Sequence, residues 1–152
     1  MNFNRSLTEA LTSQFLAINT VDGMTAANLI RDTLMKDYSI KWDEKMYRYG
    51  PPGRYYAATL ALAKNYENYG PLQIIDFPTF KKVLIIDISK NGTELVAHLV
   101  GISPHELIER GTLFQEIENM TTLLKTEGYD GIIIFSESGH HQSGPPIEIV
   151  IL

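Results

Sequence analysis

Apolar residues recur at helical intervals through the first part of the chain: Leu7, Leu11, Phe15 and Ile18, then Ala26, Leu29, Ile30, Leu34 and Met35. That spacing predicts a helix over 6–20, opened by the capping-box pair Ser6 and Glu9, and a second helix capped by Thr25. Asp22-Gly23 separates the two. From Trp42 the period shortens. Lys45–Tyr49 and Arg54–Ala58 read as short strands around the turn Gly50-Pro51-Pro52-Gly53. Thr59 then caps a helix running to Tyr66 or Glu67, which Gly70-Pro71 stops.

Further along, Gln73–Asp76 reads as a short strand. Val83–Ile88 is apolar enough to be a strand buried on both faces. Leu95–Val100 is ambiguous between strand and helix. Ser103-Pro104-His105-Glu106 combines a cap, a proline at the first helical position and a capping-box acid. The helix it starts continues past a break at Gly111 to Gly128. Ile132–Phe135 and Ile147–Leu152 are the last two strands, with the polar loop 136–144 between them. No internal repeat is visible. The order predicts an α+β single domain, with a helical segment over 1–44 preceding the main body at 45–152.

Composition narrows the function. The chain has 152 residues, 44% of them hydrophobic and 20% charged, which is a globular balance. No run of about 18 apolar residues exists, so no membrane partner is expected. The net charge of −5 weighs against nucleic acid, whose phosphates favour a basic surface. The absence of cysteine excludes disulfides, a thiolate nucleophile and cysteine-based zinc sites. With no signal-like apolar block at the start, a cytoplasmic location is expected.

The densest chemistry lies in Tyr47–Tyr56, where two arginines and four tyrosines flank a glycine-proline turn. Arginine forks suit phosphates, and phenol rings stack on planar rings. Arg48 and Arg54 each read as half of an anion site or as partners in surface ion pairs. Leu60, Ala63 and Glu67 share a face at α-helical spacing. Glu67 is therefore an inward carboxylate or a solvated helix end. Ser136, at a strand-to-loop junction, suits a ligand or an ordinary turn. His140-His141 lack partners at metal-ligand spacing, and no metal is expected. With neither a Gly-x-Gly-x-x-Gly nor a Walker A segment, any dinucleotide would bind without a Rossmann loop.

Arg48 before Gly50-Pro51-Pro52-Gly53, Tyr56, and Glu67 eleven residues after Tyr56 follow a recognisable order. Gly128-Tyr129-Asp130-Gly131 leads on to Ser136, and an apolar strand closes the chain. In this the chain resembles the RES-domain family, toxins of bacterial toxin–antitoxin pairs with an ADP-ribosyltransferase-like fold of mixed sheets. The resemblance covers roughly 45–152. It departs from the family in lacking an upstream arginine, so that Arg48 and Arg54 share two tasks or one task is missing. Lys64-Asn65-Tyr66 also replaces the usual small apolar lead-in to the acid.

The resemblance implies an enzyme that takes NAD as its substrate and breaks the nicotinamide–ribose bond by hydrolysis or phosphorolysis, or passes ADP-ribose to a macromolecule. A binding module without turnover is the alternative. The implied roles put Arg48 and Arg54 on the diphosphate, Tyr56 against the ring or ribose, Glu67 beside the oxocarbenium-like state and Ser136 on the ribose. The implied partner is an antitoxin protein, and the N-terminal helices are candidates for docking it or a second copy.

Overall fold

Helix-forming and strand-forming stretches assemble around one sheet in the structure, a computed structural model that describes residues 13–136 and 146–152. Among the described residues the strands are β1 (Thr20–Val21), β2 (Lys45–Tyr49), β3 (Tyr55–Ala57), β4 (Leu72–Asp76), β5 (Val83–Asp87), β6 (Gly131–Phe135) and β7 (Ile147–Ile151). They form one sheet in the order β1-β5-β6-β7-β3-β2-β4. The β5–β6 pair is parallel and the other neighbours are antiparallel. The fold is therefore α+β with a mixed sheet. No helix among the described residues is long and apolar enough to cross a membrane.

The helices are α1 (described over 13–18), α2 (Gly23–Tyr38), α3 (Leu60–Ala63), α4 (Gly92–Val100), α5 (Pro104–Arg110) and α6 (Leu113–Thr126). Several begin where side-chain oxygens satisfy the orphan N–H groups of a first turn. The Ser103 hydroxyl accepts from the Glu106 amide at 3.1 Å, and Pro104 takes the first helical position. Thr59 does the same for Leu62 at 3.1 Å. For α2 the cap is Asp22 rather than Thr25: the Asp22 carboxylate accepts from the Thr25 amide at 2.7 Å, so the helix starts at Gly23. Leu95–Val100, ambiguous by pattern, lies in helix α4. The Ser6–Glu9 pair lies outside the described residues.

Each face of the sheet has its own cover. On one, α2 places Ala26, Ile30 and Leu34, four residues apart, against Met46, Tyr56, Val83, Ile133, Ile147 and Ile149. On the other, α4, α5 and α6 place Leu95, Leu107, Ile117 and Leu124 against Leu84, Ile86, Ile132, Ile134 and Val150. Strand β6 is buried along its whole length because it is covered on both sides. A boundary of sequence character near residue 44 is thus no boundary of packing. Residues 20–44 supply an edge strand, a helix and Trp42 to the core that 45–152 uses. The Trp42 indole N–H donates to the carbonyls of Lys45 (3.1 Å) and Ala58 (3.0 Å), clamping the start of β2 to the end of β3.

The second face changes cover halfway across. Over β5, β6 and β7 lie α4–α6; among the described residues, over β3 and β2 lie only the short α3 and the 3-10 helix Lys64–Tyr69. A seam opens between these two covers, above β7 and β3.

If α2 is integral to the core, Ile30→Ala should destabilise the whole domain by about 2–5 kcal/mol, the range for emptying a buried aliphatic site. Denaturant melts followed by circular dichroism should show one transition moved as a unit, rather than α2 melting separately from the sheet.

Candidate active site

The seam contains a cavity of about 250 Å³. Its floor comes from strand alternation: directly paired residues share a face, so Ala57 stands beside Glu148 on β7, and Tyr47 on β2 stands beside Ala57. One wall comes from the 3-10 helix. With three residues per turn, side chains at i and i+3 eclipse, and Ala63, Tyr66 and Tyr69 at that spacing all line the cavity. Tyr49, Tyr55 and Arg48 line it as well.

The same helical geometry explains where Glu67 goes. The α-helical period ends at Ala63, so the predicted four-residue step from Ala63 to Glu67 does not continue the inward face. Glu67 is exposed and lies outside the cavity lining. The carboxylate in the cavity is Glu148. The residue as a whole is only half-buried, but its Oε2 is closed off from solvent and has no hydrogen-bond partner among the described residues. Burial pushes its pKa up to about 7, opposed in part by the Arg48 guanidinium. Its signal in the sequence was faint: one acid within Ile-Glu-Ile-Val-Ile, at the only polar position of an otherwise apolar strand.

Arg48 is held by the turn that follows it. Its Nε donates to the Pro51 carbonyl at 2.8 Å and its Nη1 to the Tyr55 carbonyl at 3.0 Å, while Nη2 has no hydrogen-bond partner among the described residues. Gly53 makes room for this: a Cβ there would stand 2.5 Å from the guanidinium carbon. A second close approach locks the rim. Gly70 has φ +146°, and a Cβ on it would come within 2.8 Å of the Gly50 Cα, so only glycine lets the end of the 3-10 helix reach the turn. The Gly50 amide donates to the Pro71 carbonyl at 3.0 Å across this contact.

The tyrosine rings are anchored by their hydroxyls. Tyr47 donates to Asp43, a bond that raises its pKa to about 12, with burial adding to the shift. Tyr55 donates to Glu118 on α6; burial first, then that bond, raises its pKa. Tyr66 is raised by burial, by the charge of Glu148 and by Tyr69, whose ring centroid is 5.9 Å away. Tyr56 borders the cavity too, but it is buried on the α2 side with Ile149, one register position away from the face that carries Tyr55.

Of the residues singled out by sequence, Arg48 and Tyr56 therefore border one cavity. Arg54 does not join them: it immediately precedes β3, and its guanidinium pairs with Glu118 and donates to the Thr121 hydroxyl at 3.4 Å. Ser136 lines a different depression on the α2 side, with Asp32, Lys36, Asp87 and Ser89. The Gly128–Gly131 segment has structural work instead. Asp130 accepts from the amides of Lys81 (2.8 Å) and Lys82 (3.0 Å), and the Tyr129 hydroxyl meets that of Thr20 at 2.6 Å. His140-His141 lie outside the described residues. Among the described residues no group of three or more histidines or acids is placed to hold a metal ion.

Glu148 sets a pH dependence of stability. Its folded pKa lies above the ordinary 4.5, so as pH rises the unfolded chain loses this proton first and folding weakens. The effect begins near pH 4.5, levels off above about 7, and amounts to about 3 kcal/mol over that window. Glu148→Gln should abolish this part of the slope. Urea melts of both proteins at pH 4.5 and pH 8 should show the variant gaining on the parent as pH rises; parallel curves would mean that the carboxylate is solvated.

No protein-family model, curated protein or solved structure matches the chain.

Proposed function

We propose that the protein binds the nicotinamide end of NAD in the tyrosine-walled cavity and breaks the nicotinamide–ribose bond, with Glu148 in the role that the RES-domain resemblance gives to Glu67. The observation that carries this reading is Glu148 on the cavity floor near Arg48, with one carboxylate oxygen closed off from solvent and unpartnered among the described residues. A charged group in such a place destabilises the free protein, which is the kind of local conflict found at functional sites.

The chemistry fits the lining. The nicotinamide ring of NAD is a flat cation, and phenol faces attract such a ring by roughly 0.5–2 kcal/mol. An ionised Glu148 attracts it further. As the bond breaks, positive charge passes from the ring nitrogen to the ribose anomeric carbon, and a fixed carboxylate nearby stabilises that state without reorganising. The free Arg48 Nη2 is suited to a phosphate oxygen. At about 250 Å³ the cavity is below the roughly 300–1,000 Å³ of sites that enclose a whole drug-sized ligand. It suits the nicotinamide riboside half, with the adenosine half outside. In this reading the sheet is a variant of the ADP-ribosyltransferase-like type, and the partner is an antitoxin that blocks the cavity mouth.

One observation favours a different reading, a nucleotide-binding module without turnover. Arg54 is committed to Glu118 and Thr121, so among the described residues a single guanidinium borders the cavity.

Purified protein incubated with NAD separates the two. Turnover should release nicotinamide, detected by chromatography, and Glu148→Gln should lower kcat by about 10²–10³-fold, the magnitude for losing one preorganised electrostatic group. Arg48→Ala should chiefly raise KM. Bound but intact NAD would identify the binding module, and NAD that neither binds nor reacts would remove both readings.

A further inference from the structure

Glu148 borders a second depression as well as the first. It is more open, about 320 Å³, and lies between the sheet and α6, lined by Tyr55, Phe114, Gln115, Glu118 and Glu148. Tyr55 and Glu148 belong to both linings, so the two cavities meet at these side chains.

The donors in this outer lining are nearly all used. The Tyr55 hydroxyl donates to Glu118, and Gln115 Nε2 donates to Asn119 Oδ1 at 3.2 Å, leaving one amide N–H. Phe114 offers no polar side-chain atom. The remaining two groups are carboxylates, and the nearby Arg54 is paired with Glu118 outside the lining. A phosphate needs several N–H donors or cations, and here it would meet two acids instead. A small O–H donor meets acceptors, the Glu118 and Glu148 carboxylates that line the cavity.

We infer that this outer cavity delivers water, not phosphate, to the anomeric carbon, making the reaction a hydrolysis; the inference rests on the NAD-cleaving reading above. The carbon–nitrogen bond breaks with its electron pair leaving on the nicotinamide nitrogen. The water oxygen forms the new bond to carbon, and its proton passes to the Glu148 carboxylate and then to solvent. The products are ADP-ribose, nicotinamide and one proton.

The test incubates the full chain with NAD in three media: buffer alone, buffer with inorganic phosphate, and buffer with methanol as a neutral hydroxyl probe. The expected result is ADP-ribose at a rate unchanged by phosphate, with methanol diverting part of it to the methyl riboside. Gln115→Lys, an exposed position on α6, places a cation at the cavity edge. It should raise the phosphate-bearing product roughly tenfold, the order expected from one unit charge near an anion. ADP-ribose carrying phosphate at the anomeric carbon as the main wild-type product would overturn the inference and leave NAD cleavage standing. Intact NAD in all three media would remove both.

Discussion

A carboxylate in the middle of an apolar strand constrains everything around it. In β7, Glu148 sits between Ile147 and Ile149, and period-2 alternation turns it to the face opposite theirs, the one that carries Val150 and Tyr55. A one-residue slip would turn the acid to the α2 side of the sheet, among Ala26, Ile30 and Leu34. The register is therefore held from both sides: β6 pairs Ile134 with Glu148, and β3 pairs Ala57 with it. The consequence is a group that resists ionisation until the pH approaches 7. Ionisation and stability pull in opposite directions at this residue.

The seam above Glu148 exists because the sheet is wider than either helical cover. Helices α4–α6 span the β5–β7 half, and the 3-10 helix with α3 spans the β3–β2 half. Where they stop, aromatic side chains close the gap. Their hydroxyls are tied to acids outside the cavity, Tyr47 to Asp43 and Tyr55 to Glu118, which fixes the rings without filling the space between them. Arg48 is fixed in the same way by two backbone carbonyls of its own turn. Preorganisation of this kind reduces the ordering entropy lost when a ligand arrives.

Local signals were legible wherever local physics decides. The caps at Thr59 and Ser103, the helix breaks at Gly111 and Gly128 and the buried strands at 83 and 132 follow from periodicity and backbone chemistry alone. So does the concentration of arginine and tyrosine around the glycine-proline turn. Glu67 and Glu148 show where this stops. An α-helical count turns Glu67 inward, yet the helix tightens to three residues per turn after Ala63 and brings tyrosines inward instead. Glu148, by contrast, is marked only as the single polar position of a closing apolar strand.

By itself, then, the sequence determined the elements, their order and the richness of the 47–56 segment in groups that grip anions and planar rings, because those depend on neighbours a few residues away. Which carboxylate Arg48 faces, that Arg54 is tied to α6, and that Ser136 lies with the α2 side of the sheet were decided only by tertiary structure. Residue 148 meets residue 48 through the pairing of β7, β3 and β2, and contacts a hundred residues apart leave no period in the chain to read.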